Sequence, residues 1–185
     1  GSSTNINANN VFNINRLGIS NDFEAGRSFT LGLDYKYDPI LDNPSKNTSD
    51  NLSEDIEDKY LEIKLATVVR DQYESDIPSS STINKKNSDL FGSIENKLFD
   101  NIDLLYEFSL DNNMKTINSN VIETEISINN FVTSFNFIEQ RNEIGSTHLL
   151  SNTTEYKIDD NKSFKFSTRR NKKINLTEYY DLIYE

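Results

Sequence analysis

Cysteine and tryptophan are absent from the 185-residue sequence, and histidine occurs once, as His148. Without Cys there is no disulfide framework, no Cys-zinc site and no thiol chemistry. A Ser-His-Asp triad would have to be built on His148, and no nucleophile elbow accompanies it, so it reads as an ordinary strand-end residue. No run of about 18 apolar residues occurs, which excludes a transmembrane helix. The first residues, GSSTNINANN, supply neither a basic n-region nor an apolar h-region, so they are not a signal peptide, and the sequence is expected to be an internal piece of a longer chain. Basic residues are scarce: 19 Lys and Arg against 30 Asp and Glu leave a net charge of -11, which disfavours nucleic acid as a partner. Apolar residues make up 35% and mean hydropathy is -0.67, lean for a conventional globular core. The acidic run Glu54, Asp55, Glu57 and Asp58 lacks the spaced oxygen ligands and Gly of a calcium loop and reads as solvated. RSFTLGLD carries no phosphate-loop pattern. No catalytic constellation is present, and neither enzyme activity, cofactor nor metal is expected.

Aromatic residues are present at 11%, which argues against simple disorder. Their arrangement is regular. In DNIDLLYEFSL (100 to 110), Ile102, Leu104, Tyr106, Phe108 and Leu110 alternate with Asp103, Glu107 and Ser109, and only Leu105 breaks the order. Alternation at period two is the mark of a strand with one apolar and one wet face. It recurs in FTLGLDYKY, YLEIKLATVV, LFGSIENKLF, VIETEISI, FVTSFNFIEQ, LLSNTTEYKI, SFKFSTRR and NLTEYYDLIYE, while no stretch has a convincing helical period. Charge is uneven: residues 42 to 58 are strongly acidic, and KSFKFSTRRNKK (162 to 173) has six basic residues and no acidic one. Such a basic run is either a phosphate-binding face or, as charge runs usually are, a solvated strand end and loop.

Turn signals fall at Asp100-Asn101, Asn129-Asn130 and Asp159-Asp160-Asn161, about thirty residues apart, where Asn and Asp tolerate the left-handed backbone of tight hairpins. The opposite connections are DNNMK (111 to 115), RNEIGS (141 to 146) and NKKIN (171 to 175). Pro39, Pro44 and Pro78 all lie in two longer breaks, 38 to 58 and 71 to 88, as expected of a residue excluded from central strands. The sequence therefore predicts an all-β, antiparallel up-and-down meander of nine or so strands over residues 26–185. A lead-in loop segment (1–25) precedes it, and the longer loops gather at one end. Many strands run to ten residues or more, against roughly five or six in soluble sheets and nine to eleven in a bilayer. Length, short turns and apolar-out, charged-in alternation favour part of a large transmembrane β-barrel, with Tyr35, Tyr37, Phe99, Phe131, Tyr179, Tyr180 and Tyr184 as an aromatic girdle. A soluble β-sandwich, whose aromatics would be core, gives the same alternation.

NVFNINRLGISNDFEAGRSFTLGLDYKY (10 to 37) resembles the barrel domain of the LptD family of lipopolysaccharide-assembly proteins. The matching residues are Asn15, Arg16, Gly18, Asp22, Glu24, Gly26, Arg27, Gly32, Leu33 and Tyr35. The later hairpins are similar to those that follow in that family, so the resemblance spans nearly the whole chain. The Cys pairs the family usually carries have no counterpart here. The resemblance implies a structural role for the motif residues, with Asn15, Arg16, Asp22, Glu24 and Arg27 as a salt-bridged loop packed in the lumen. It implies a place in the bacterial outer membrane and a part in lipopolysaccharide transport and outer-membrane assembly. The implied partners are lipopolysaccharide, an LptE-like lipoprotein in the lumen and outer-membrane lipid. Asp34, Lys36, Glu62, Lys64, Glu95, Lys97, Glu107, Glu123, Glu125, Lys165 and Arg169 would face the lumen. A porin-like channel and a soluble β-sandwich binding module remain the alternatives.

Overall fold

The computed structural model describes residues 6–18, 24–39, 59–142, 145–159 and 161–184. Among them the alternating segments form nine strands: β1 (Ser28–Tyr37), β2 (Leu61–Arg70), β3 (Leu90–Phe99), β4 (Ile102–Leu110), β5 (Ile117–Ile128), β6 (Phe131–Asn142), β7 (Gly145–Asp159), β8 (Lys162–Asn171) and β9 (Leu176–Tyr184). Every strand pairs antiparallel with its sequence neighbours, in the order β1 to β9. The sheet does not close: β1 and β9 are not partners, and among the described residues each leaves one row of backbone N–H and C=O groups without a strand beside it.

Turn chemistry explains the connections. Asn129, with φ 51°, takes the left-handed conformation that the two-residue β5–β6 hairpin requires, and Asn130 Nδ2 donates to Lys157 O at 2.8 Å. In the β4–β5 turn the Asp111 carboxylate accepts from the Lys115 N–H at 2.9 Å and the Thr116 N–H at 3.3 Å, and the first of these holds its pKa below the ordinary value. The two long connections start from opposite ends of the sheet: β1 ends and β2 begins at the end of the tight Asn hairpins, and residues 71–89 join β2 to β3 at the other. The expectation that longer loops gather at one end is thus corrected. Strand pairing also consumes most of the predicted loop 141 to 146, since Asn142 and Gly145 are themselves register partners. Register shifts fall near strand ends, at Asn96/Phe99, Ser109/Leu110, Lys157/Asp159 and Arg169/Arg170, the positions barrels and sheet rims favour for bulges.

The buried apolar residues do not lie between two sheets. They are Ile6, Ala8, Val11 and Leu17 of the lead-in, Ile77 and Ile83 of the 71–89 connection, and Ala66, Val68 and Phe91 of β2 and β3. Lead-in and connection fold over the β1–β3 end of the charged face, so the core is a plug packed on one corner of a sheet. Phe12 lies against Gly32, where a Cβ would meet its ring. The opposite face has no covering layer among the described residues. Phe29, Leu33, Tyr35, Tyr156, Tyr180, Leu182 and Tyr184 are each more than half exposed there.

Candidate functional site: an apolar outer face, a charged inner face and a buried ion cluster

The register assigns every paired residue to a face. The outer face carries Phe29, Leu31, Leu33, Tyr35 and Tyr37 on β1, then Leu61, Ile63, Leu65 and Val69 on β2. Ile94, Tyr106, Ile122, Phe137 and Leu150 continue it as one row of direct partners from β3 to β7. A second row, Phe131, Tyr156, Phe164 and Tyr184, places four aromatic rings opposite one another across β6 to β9 at the hairpin end, with the Phe164 and Tyr184 centroids 4.9 Å apart. Phe108 covers Gly92, its partner on β3, where a Cβ would collide with the ring. Among the described register-paired residues, ionisable Asp, Glu, Lys, Arg and His side chains on this face occur only at its rims: Glu139, Arg141, His148 and Arg170 at one, the paired Asp159 and Lys162 at the other.

The charge-free band drifts across the sheet. Its middle on β1, Leu33, is joined by direct pairing through Leu65 and Gly92 to Phe108 of β4. Its middle on β9, Leu182, is joined through Phe166, Thr154, Thr133 and Ile126 to Ile102 of the same strand. The band therefore slides by 108 − 102 = 6 residues between the edges of the sheet. Six residues are about 20 Å along a strand, and eight inter-strand steps are about 38 Å across, which tilts the strands about 30° from the normal to the band. An oblique band of this sense is what tilted strands present to a bilayer, which they cross at roughly 35–45° from its normal.

The inner face holds the charges. Asp34 pairs with Lys64 and Lys36 with Glu62. Glu107 stands opposite Ser93, Glu123 opposite Asn136, Glu125 opposite Asp103, Lys165 opposite Glu155 and Arg169 opposite Ser151. Glu62, Lys64 and Glu95 lie on this face too, and Lys97 sits 3.4 Å from Glu95. Leu105 and Tyr179 share it, so Tyr179 is not part of an outward girdle. Asn136 Nδ2 donates to Glu123 Oε1 at 2.8 Å, and Asn9 of the lead-in donates to Glu107 Oε1 at 2.9 Å. Just before β2, the Tyr60 hydroxyl donates to Glu95 Oε1 at 2.6 Å, and burial together with that carboxylate pushes its pKa up.

The motif residues at the start of the chain separate into two groups. Arg16 and Glu24 meet in a buried ion pair, with Arg16 Nε donating to Glu24 Oε2 at 2.6 Å. Arg16 also donates to Val11 O at 3.0 Å, Thr30 Oγ1 at 2.9 Å and Ser28 Oγ at 3.0 Å. Burial lowers its pKa from the ordinary arginine value, a direction that leaves an arginine charged at neutral pH. The second cation on Glu24 is Arg70, at the last position of β2, which also donates to Ala25 O at 2.8 Å and to Ile83 O. Nothing in the local sequence marks Arg70 as the partner of a residue 46 positions earlier. Asn15 and Arg27 are exposed and outside this cluster, Gly18 and Gly26 hold φ of 65° and 77°, Tyr35 lies on the outer face, and Asp22 lies outside the described residues. The acidic stretch Glu54 to Asp58 also lies outside them. Gly26→Ala is expected to cost about 1–2 kcal/mol from the left-handed backbone, read as a lower urea midpoint, since its Cβ would also meet the Glu74 side chain.

Sequence reasoning also missed Asp89. Its carboxylate is 1% exposed and accepts from Ser109 Oγ at 2.6 Å and Asn118 Nδ2 at 2.7 Å, tying the 71–89 connection to β4 and β5 beside a cavity of about 230 Å³. The signal was slight: one acid before a strand. His148 lies on the outer-face rim, 3.5 Å from Glu139. No group of three or more His, Asp or Glu able to hold a metal occurs among the described residues.

No family model, curated protein or solved structure matches the chain. The functional reading therefore rests on the two faces, the oblique band and the resemblance of residues 10 to 37.

Proposed function

We propose that this chain is a section of the wall of a large transmembrane β-barrel, with its outer face against lipid and its charged face lining a polar lumen. The observation that carries this is the band free of Asp, Glu, Lys and Arg, which stays continuous across nine strands only if those strands tilt. Within hydrocarbon every backbone donor and acceptor must be paired by protein, so an open sheet with free β1 and β9 edges needs further strands to close it. A soluble sandwich would lay a second sheet over the outer face, and the described residues form one sheet.

The more specific reading is a barrel resembling LptD, acting in lipopolysaccharide transport and outer-membrane assembly at the bacterial outer membrane, with an LptE-like lipoprotein as lumen partner. Arg16, Glu24 and Gly32 support it, the ion pair and the Phe12–Gly32 contact holding the lead-in against the charged face. The test places single cysteines at Leu104, Phe135 and Phe166 on one face and Glu123, Ser134 and Ser151 on the other, in the full-length protein with any other Cys replaced. Bimane on the first set is expected to be quenched by doxyl-labelled lipid in vesicles, and bimane on the second by aqueous iodide. Equal iodide quenching of both sets would remove the membrane reading. A photo-crosslinker at Glu123 then separates the finer readings: adducts with lipopolysaccharide support transport, while ion conductance without adducts favours a porin-like channel.

A further inference from the structure

The two rims of the outer face differ in chemistry on β6 to β9. At the hairpin rim the band ends in the aromatic row Phe131, Tyr156, Phe164 and Tyr184. At the opposite rim it ends in ions. Thr168 is the last uncharged outward residue of β8, and Arg170 follows it on the same face. Arg141 occupies the outward position near the end of β6, and His148 the one near the start of β7. The β8–β9 turn adds Lys172 and Lys173, held beside β7 by the Lys172 N–H on His148 O at 2.7 Å and by Lys173 Nζ on Ser146 O at 3.2 Å. Arg141, Arg170, Lys172 and Lys173 are all exposed. Among the described residues the acids beside this rim are Glu139, 3.5 Å from His148, and Glu178, 2.9 Å from Arg169.

We infer that this rim is a docking surface for phosphate-bearing lipid headgroups of the leaflet at that end. The inference rests on the barrel-wall reading, because only a bilayer around the outer face brings headgroups to the height of Arg170. Charge complementarity selects the occupant. The chain as a whole carries -11, yet four exposed cations, Arg141, Arg170, Lys172 and Lys173, stand together where the apolar band stops, within reach of an interfacial phosphate. Guanidinium groups bind phosphate oxygens in a bidentate fork, and lysines near a membrane surface add an attraction of about fivefold per charge. The basic run of residues 162 to 173 thus divides: Lys165 and Arg169 point inward, while Arg170, Lys172 and Lys173 form the collar.

The test uses the full-length protein in vesicles, with bimane on a cysteine at Thr168 and doxyl-labelled phosphatidylglycerol or phosphatidylcholine at equal mole fraction. Phosphatidylglycerol is expected to quench more strongly at Thr168, and equally with phosphatidylcholine at Tyr156→Cys on the aromatic rim. In Arg170→Gln/Lys172→Gln/Lys173→Gln the preference at Thr168 should fall about fivefold or more, to near parity. Equal quenching by the two lipids at Thr168 in the otherwise unaltered protein overturns the inference while leaving the wall reading intact, and needs no charge variant. Absence of quenching by either lipid at both positions overturns the wall reading itself.

Discussion

Phe135→Lys is expected to destabilise the fold by about 2–4 kcal/mol if its face meets lipid, while Asn136→Lys, the next residue, should change stability by no more than about 0.5 kcal/mol. Phe135 sits midway across the band on β6, four residues from Phe131 at the aromatic rim and four from Glu139 at the charged rim. Its neighbours across the strands are Thr124 and Asn152, neither of which can neutralise an ammonium. Asn136 points the other way, and its amide already donates to Glu123, so a lysine there gains a carboxylate in place of an amide contact. The comparison holds sequence position and strand constant and changes only the face. Urea unfolding of both variants in lipid vesicles, followed by circular dichroism, is the measurement. Two near-neutral results would mean that water wets both faces, and the barrel-wall reading would go with that.

Period-two alternation made the strands legible because it survives in a chain with so few apolar residues: Ile102 to Leu110 needs only five of them to define a face. The exception, Leu105, falls on the inner face between Glu95 and Glu123, so even the break in pattern obeyed the register. What sequence reasoning lacked was long-range information. Asn and Asp are so common here that several positions are equivalent turn candidates, and pairing alone decides that 141 to 146 is mostly strand. Register shifts such as Arg169/Arg170, which pairs Leu176 with Asn171, cost little and leave no local mark. The core was illegible for a different reason. Val11, Leu17, Ile77 and Ile83 come from irregular segments with no period, and Phe91 belongs to them although it sits in a strand whose outward apolar set is Leu90 and Ile94. Of the five residues expected as a salt-bridged loop, Arg16 and Glu24 meet, but the second cation on Glu24, Arg70, was outside that set and arrives by folding of β2 beneath the lead-in.

That arrival sets the last expectation: Glu24→Ala should cost about 3–5 kcal/mol and free the lead-in before the sheet unfolds. One carboxylate serves two guanidinium groups whose side chains are 6% and 0% exposed. Removing it leaves two like charges together in a site too buried to hydrate them, a larger loss than that of an ordinary surface pair. Neither arginine can leave easily, since Arg16 also serves the Val11 carbonyl and Arg70 the carbonyls of Ala25 and Ile83. The strain is best relieved by lifting residues 6–18 off β1 and β2, because that segment makes no ladder with the sheet while β2 is paired on both sides. Arg16 itself then becomes the reporter: trypsin should cleave after it in Glu24→Ala much faster than in the parent protein, with circular dichroism of the sheet unchanged at low urea. Arg70→Met in the Glu24→Ala background should restore part of the loss, because one buried cation without a partner costs less than two. Additive effects of the two substitutions, or unchanged cleavage after Arg16, would mean that the shared carboxylate does not hold the lead-in on the wall.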